Sequence, residues 1–211
     1  MARLREAREG EITQLRERIM EAMLEACGER GYRSASVQDV IDRYGGHRQQ
    51  FYAHFASKAE CYAAAYELEI DRRYATLAEV AGSAASWRVG LRATLRELAR
   101  FVCERPLLAS GLLVEVHVAG GPALLKRMEV FERLTRAIDG ARRETGSRHS
   151  PPPVTATFMV GTIEAAVVSS LTKGVPESFA AAVPELGRIV VAAYFGDDAA
   201  EEDMAALRRA A

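Results

Sequence analysis

The feature that most constrains the fold is the Gly45-Gly46 pair, which separates two short segments that are each apolar along one side. Before the pair, apolar residues recur at helical spacing up to Ile41, and after it Phe51 and Phe55 are four residues apart. Residues four apart lie on one face of a helix, and a double glycine interrupts a helix. The pattern therefore predicts two short helices that meet at a turn and share one core.

The chain before the pair supplies the rest of that small bundle. Residues 11–30 carry one apolar stripe and stop at Gly31, a residue typical of helix C-termini. Ser36, with Asp39 three residues later, resembles a capping box in which Asp replaces Glu, so a short helix begins there. A long helix followed by two short helices and a glycine turn is the pattern of a helix-turn-helix.

The remaining sequence also predicts helices, because alternating β-branched runs are absent and Ala, Leu, Glu and Arg dominate. We therefore expect an all-α fold. Residues 1–10 suggest a charged mobile arm, 145–153 a Pro-rich loop, and 197–211 a charged tail with a short frayed helix. The further predicted helices span 57–80, 84–104, 106–118, 122–144, 154–173 and 184–195.

Composition excludes several classes of protein. The 211 residues are 49% hydrophobic with a net charge of −1, which argues against a disordered chain and against a wholly basic nucleic-acid binder. Cys27, Cys61 and Cys103 are far apart and lack metal-binding spacing, so we expect unreactive buried thiols in a reducing compartment. The N-terminus lacks the apolar region of a signal peptide. These features indicate a cytoplasmic protein without a metal or bound cofactor.

The segment 154–171 is long enough to be tested as a membrane span, since it holds a single charge, Glu164. Several Thr, Ser and Gly residues dilute its apolar character, and a central carboxylate is costly in lipid. A buried helix at a protein interface is the better interpretation, and the chain is expected to avoid membranes. Together with 184–195, this helix predicts a four-helix interface across a two-fold axis, hence a homodimer.

The second short helix leaves one face free of the core. Donor and acceptor side chains on that face suit base edges in a DNA major groove: Arg48, Gln49 and Gln50. Tyr52 lies beside them, about 100° around the helix from Phe51. Side chains able to bind phosphate surround this face: Arg33, Ser36, Tyr52, His54 and Lys58. Residues 30–60 hold five basic and three acidic residues, so we expect moderate salt sensitivity.

At this point the residues resemble a known family. The motif combines Gly31-Tyr32, Ser36-Val37-x-x-Val40-Ile41, Gly45 and Phe51-Tyr52-x-His54-Phe55-x-x-Lys58, and it is similar to the signature of tetracycline-repressor (TetR/AcrR) regulators. The segment 183–196 is similar to the family's last dimerisation helix. Two positions depart from the pattern. Gly46 stands where the family has an aliphatic residue, and His47 stands where Ser or Thr caps the recognition helix.

The resemblance implies a function. It implies an all-helical homodimer with a helix-turn-helix DNA-binding domain at 11–58 and a larger ligand-binding and dimerisation domain at 59–196. Such proteins bind palindromic double-stranded operators, usually repress transcription, and release DNA when a small-molecule effector binds. The resemblance assigns base reading to Arg48, Gln49 and Gln50. It assigns phosphate binding to Ser36, Tyr52, His54 and Lys58.

An effector pocket in the second domain is a weaker prediction. Apolar residues at helical spacing are usually core, and only a few of them line a pocket. His117 and Glu164 are the polar exceptions, and each could anchor a ligand, pair at the dimer interface, or lie exposed. The candidate lining residues are Trp87, Phe101, His117, Met128, Phe131, Phe158 and Glu164.

Two other classes of function compete with this interpretation. An enzyme is disfavoured because the sequence holds no nucleophile elbow, P-loop, dinucleotide fingerprint or zinc-protease motif. A helical adaptor with a purely architectural helix-turn-helix stays open. It would show no salt-dependent DNA affinity.

Overall fold

The computed structural model describes the backbone of residues 2–145 and 151–210 and the side chains of 10–145 and 151–205. Every regular element in those ranges is helical, which confirms the all-α prediction. The helices are α1 (Ala2–Arg30), α2 (Val37–Tyr44), α3 (Arg48–His54), α4 (Lys58–Gly82), α5 (Trp87–Glu104), α6 (Pro106–Leu113), α7 (Val116–Ala119), α8 (Gly121–Asp139), α9 (Arg142–Thr145), α10 (Thr155–Thr172), α11 (Glu177–Phe195) and α12 (Asp197–Ala210).

Several predicted helix boundaries differ from the structure, and the predicted helices 106–118 and 122–144 are each divided in two. The backbone of the expected arm is helical, since α1 begins at Ala2 and strong helix formers fill that segment. Helix α11 begins at Glu177 rather than at Pro184, which lies inside it. Pro184 is on an exposed face, where water can satisfy the carbonyl that loses its helical donor. The tail is a helix of 14 residues rather than a short frayed one. Most of the predicted Pro-rich loop, 146–150, lies outside the described residues.

The chain forms two compact units. The first comprises the residues up to Asp71 together with Arg105–Arg127, and the second comprises Arg72–Glu104 and the residues from Met128 onward. The prediction divides the chain once, after residue 58, whereas the packing assigns residues 59–71 and 105–127 to the first unit as well. The physical reason is that α6 packs closely on α1, far from it in sequence.

The first unit is built around a core that joins α1 to the helices of the predicted helix-turn-helix. The largest fully buried side chains there are Ile19, Met23, Leu24, Val40, Phe51, Phe55, Tyr62, Tyr66 and Leu112. The phenol of Tyr62 donates a hydrogen bond to the carbonyl of Gly111 at 2.7 Å. This bond satisfies a polar group that would otherwise be costly in an apolar core.

Glycines set the closest approach of α1 and α6. A Cβ built on Gly28 would lie 1.9 Å from the carbonyl oxygen of Leu107, and one on Gly111 would lie 1.9 Å from that of Leu24. Both obstacles are backbone atoms, so no side-chain movement can relieve them. Arg105, just before α6, adds ion pairs to α1 by donating to Glu21 and, at 2.9 Å, to Glu25.

The second unit packs α11 against α5 and α12. Phe179, Val190 and Tyr194 of α11 are buried, as is Leu95 of α5. At the start of α5, the indole of Trp87 stacks on Phe195 with ring centroids 5.8 Å apart. These contacts make the aromatic residues part of a continuous core.

Two helices of the second unit keep much apolar surface outside that core. By length and composition alone, α10 and α11 could each cross a membrane, and the bent pair Pro106–Ala119 with Gly121–Thr145 could form a third span. Only 22% of α10 is buried within the chain, and its Phe158 is 66% exposed. Contiguous exposed apolar surface is typical of faces that bind a partner.

Candidate nucleic-acid interface

The helix-turn-helix begins at a complete capping box. Ser36 has an extended backbone, its Oγ accepts a hydrogen bond from the N–H of Asp39 at 3.2 Å, and its hydroxyl donates to the Asp39 carboxylate at 2.6 Å. That carboxylate also accepts the backbone N–H of Ser36 at 2.8 Å. The hydrogen bonds from Ser36 lower the pKa of Asp39, and Arg30 adds to the shift. The predicted cap is therefore present with Asp in place of Glu.

The turn follows directly from the glycine pair. Gly45 has a φ of 72°, the left-handed region that glycine enters without steric cost. The N–H groups of Gly45 and Gly46 both donate to the carbonyl of Ile41, which closes α2. The chain then turns into α3, where Phe51 and Phe55 are 0% and 1% exposed. Burial of these two rings holds α3 at one orientation on the core.

The opposite face of α3 is open to solvent. Arg48 and Gln49 are exposed, and Tyr52 is 44% exposed. The Arg48 guanidinium lies 5.4 Å from the centre of the Tyr52 ring and 3.4 Å from its hydroxyl. A guanidinium held over an aromatic ring keeps its outer donors available for guanine O6 and N7. These side chains form the free face that the sequence predicts.

Gln50 differs from Arg48 and Gln49, the two other residues predicted to read bases. Gln50 is half-buried, and its Oε1 accepts the backbone N–H of His47 at 2.9 Å. The His47 side chain makes no capping bond of its own. Gln50 therefore caps α3 from its third position, as Glu or Gln does in a capping box.

Lys58 is also engaged inside the unit. Its ammonium donates to the carbonyls of Tyr32 at 2.5 Å and Ala35 at 2.9 Å, and it lies 4.3 Å from the centre of the Tyr32 ring. Sequence reasoning assigned Lys58 to phosphate and missed this bracing role. The nearest available signal was Tyr32, an aromatic partner for a cation just ahead of the helix-turn-helix.

The other predicted phosphate ligands surround the open face. Arg33 and Ser36 are exposed on the segment that leads into α2, although the Ser36 hydroxyl already bonds to Asp39. His54 is half-buried beside the Phe55 ring. Phosphate contact by these residues and by Tyr52 stays a prediction.

The predicted pocket residues are not a single group. His117 belongs to the first unit and is exposed. In the second unit Phe101 is buried beneath the Arg73 guanidinium, while Trp87 packs on α11 and donates its indole N–H to the carbonyl of Ala137 at 3.1 Å. Phe131 and Glu164 are half-buried, whereas Met128 and Phe158 are exposed. A ligand role for any of them stays a prediction.

The thiols are arranged as unreactive groups. Cys27 and Cys61 are buried, and burial raises the pKa of both, that of Cys27 to about 12. Burial and nearby carboxylates also raise the pKa of Cys103. Thiolate chemistry is therefore suppressed at neutral pH. Among the described side chains, no group of three His, Cys, Asp or Glu residues could hold a metal ion.

Comparison with known proteins agrees with this geometry. Residues 19–65 match the family model of bacterial regulatory proteins of the tetR family. No curated protein matches the chain in sequence.

Solved structures are similar over most of their length. One is the regulator FadR from Bacillus subtilis in complex with stearoyl-CoA, at 15% identity over 83% of this chain and 97% of that one, with a TM-score of 0.71. A gamma-butyrolactone receptor, an ArpA-like protein, is 18% identical over 93% and 99%, with a TM-score of 0.66. A putative TetR-family regulator from Rhodococcus sp. is 24% identical over 85% and 98%, with a TM-score of 0.64.

The family match covers α2, α3 and their supporting core, and the structural likeness extends the fold to the helices that follow. Both agree with an exposed α3 face held on a rigid base. Residues 19–65 thus form a helix-turn-helix domain similar to that of the tetR family, and the rest of the chain shares the helical fold of the solved regulators.

Proposed function

We propose that this protein is a cytoplasmic repressor that binds a two-fold symmetric DNA operator as a homodimer and releases it when a small molecule binds. The observation that carries the proposal is the α3 face, where Arg48, Gln49 and Tyr52 are exposed while Phe51 and Phe55 are fixed in the core. A short helix presented in this way fits a major groove. This geometry supports a regulator rather than an enzyme.

A second copy of the chain is the partner that operator reading requires. Two recognition helices must lie one DNA turn apart, about 34 Å, to read a palindrome. The exposed apolar side chains of α10 and α11, among them Phe158 and Ile189, support a helical interface. A Cβ built on Gly161 meets no atom within 4 Å, so a partner helix could approach α10 closely there. Glu164 favours a protein partner over lipid, because a mid-helix carboxylate is costly in a membrane.

The effector we propose is an apolar molecule with a polar head. FadR from B. subtilis binds stearoyl-CoA and the ArpA-like protein is a gamma-butyrolactone receptor, and both have folds like this one.

Release of DNA follows from a population shift. An effector moves the equilibrium only as far as it binds the DNA-incompetent form better than the competent form. Equal affinity for both forms would leave repression unchanged, however tightly the effector bound.

The first experiment is selection of bound sequences from randomised duplex DNA at two salt concentrations. We expect a palindrome whose affinity falls moderately with salt. A folded protein that enriches no sequence, with or without acyl-CoA, would overturn the proposal in favour of the adaptor.

Light scattering tests the assembly. A dimer at low micromolar concentration is expected without detergent or lipid. A persistent monomer, or recovery only with vesicles, would contradict the proposed dimer. Stearoyl-CoA and a gamma-butyrolactone, added to the protein on its selected duplex, then test effector release.

A further inference from the structure

We propose that Tyr44 and Gly46 form a matched pair that positions the recognition helix α3, and that Gln50 acts as the cap of α3 and not as a base-reading residue. The pair lies at the turn where the chain departs from the TetR pattern. The pair explains how the turn stays ordered although Gly46 replaces an aliphatic residue and His47 replaces the Ser or Thr that caps α3.

Glycine is required at position 46 because of the neighbouring Tyr44 side chain and not because of the backbone conformation. Gly45 has a positive φ, whereas Gly46 does not, so an L-residue could adopt the Gly46 backbone. A Cβ on Gly46, however, would lie 2.0 Å from Cε2 and 2.8 Å from Cδ2 of Tyr44. The Tyr44 ring is 5% exposed. It therefore fills, from two residues earlier, the apolar space beside the turn that a side chain at position 46 would enter.

Tyr44 also joins the three helices of the DNA-binding bundle. Its hydroxyl donates to the carbonyl of His47 at 2.8 Å, directly before α3. Its own carbonyl accepts a hydrogen bond from the Arg18 guanidinium of α1 at 2.7 Å. Burial raises the pKa of the Tyr44 hydroxyl, so the group remains a donor at physiological pH. The position and tilt of α3 thus depend on one side chain of α2.

Gln50 completes the start of α3. Its Oε1 accepts the N–H of His47 at 2.9 Å, and a Cβ on Gly46 would come within 2.6 Å of that oxygen. Recognition of adenine by Gln uses the side-chain oxygen and nitrogen together. Because the bond to His47 ties the Gln50 amide to the start of α3, we assign Gln50 to the cap and not to this paired contact. Base reading then rests on Arg48 and Gln49.

A double-mutant cycle tests the pair. We expect G46V to weaken binding to the selected operator at least tenfold and Y44A to weaken it severalfold. The Y44A/G46V double variant should recover most of the G46V loss, because the new side chain enters the space that the ring leaves. Losses that multiply in the double variant would overturn the pairing. If G46V does not fold, G46A replaces it in the same cycle.

Y44F isolates the hydroxyl from the ring. It keeps the packing, so it should remain folded, with a modest fall in its unfolding midpoint in urea because one intramolecular hydrogen bond is lost. Its operator affinity should also fall, because the start of α3 is then held less firmly for DNA binding. An affinity equal to that of the native protein would contradict a positioning role for the hydroxyl.

Gln50 is tested against its exposed neighbour by repeating the DNA selection with Q50A and Q49A. Loss of a capping residue should weaken binding to all duplexes alike. Q50A should therefore return the same preferred sequence with lower affinity. Q49A should relax the preference at one base pair of each half-site. A changed preference in Q50A would overturn its assignment as a cap.

Discussion

Glu115 and Tyr32 are joined by a hydrogen bond across 83 residues of sequence, in which the carboxylate accepts the backbone N–H of Tyr32 at 2.6 Å. Glu115 precedes α7, and Tyr32 lies in the turn that leads into α2. The carbonyl of Tyr32 accepts a second bond from Lys58. The side chain of Lys58 in α4 and that of Glu115 in the turn before α7 therefore hold both backbone polar groups of Tyr32, the residue that introduces the helix-turn-helix.

Removal of Glu115 should destabilise the first unit. E115A leaves the Tyr32 N–H without its partner, which costs about 1–3 kcal/mol of unfolding free energy for a buried donor and less for this half-buried one. E115Q keeps an acceptor oxygen and should lose less. Urea unfolding of the two variants measures the difference, and equal midpoints for E115A and the native protein would show that the bond contributes nothing.

The close crossing of α1 and α6 should not tolerate a methyl group. G28A and G111A each drive a Cβ into a backbone carbonyl, so we expect a loss of at least about 1–3 kcal/mol. G10A is the matched control in α1, because a Cβ there meets no atom within 4 Å. It should stabilise the helix by about 0.5–1 kcal/mol. Thermal unfolding of the three variants tests this ranking of their stabilities. A G28A variant as stable as the native protein would refute it.

The capping box should weaken in acid. The pKa of Asp39 is lowered in the folded chain by its bonds to Ser36, so its stabilisation is complete above the unfolded pKa of about 3.9. The stabilisation is lost as the pH falls through the lowered pKa that Asp39 has in the folded chain. The gap in unfolding free energy between the native protein and D39N should therefore be constant near neutrality and shrink below about pH 4.

S36A removes the other half of the box and should cost about 1 kcal/mol at neutral pH. Urea titrations between pH 7 and pH 3 measure both effects. A native-to-D39N gap that widens in acid would contradict the direction of the pKa shift.

Asp203 should hold α12 on α5. Its carboxylate accepts from Arg88 at 2.5 Å and lies 2.5 Å from Arg92, and it is buried. D203A leaves both guanidiniums without that partner and should cost about 1–3 kcal/mol. Glu202 is the control, since its exposed side chain lies 3.5 Å from Arg88 and E202A should cost less than about 1 kcal/mol. Similar losses in both variants would remove the special role of Asp203.

Two kinds of DNA contact should separate by mutation. Y52F removes a hydroxyl expected to bind phosphate, so its affinity should fall by a similar factor on every duplex. R48A should instead relax the preferred base at one position of each half-site by about tenfold or more. Repeated DNA selection provides the measurement. A uniform loss in both variants would count against base reading by Arg48.

Local signals account for the elements that were predicted correctly. The Ser36 cap, the Gly45 turn and the spacing of Phe51 and Phe55 each act within four residues, so their outcome can be read along the chain. The exposed face of α3 follows from the same periodicity. Pro184 misled because a proline inside a helix removes one hydrogen bond and strains the preceding turn but does not always end the helix.

The sequence by itself determined an all-helical chain with a helix-turn-helix and an open recognition face, since caps, breaks and periodicity are local properties. Tertiary structure alone decided that Lys58 braces the turn at Tyr32 and that Glu115 completes it. It also decided that Tyr44 excludes any side chain at position 46. These outcomes depend on where each side chain is held by the packing of the whole unit, which cannot be read from the spacing of residues along the chain.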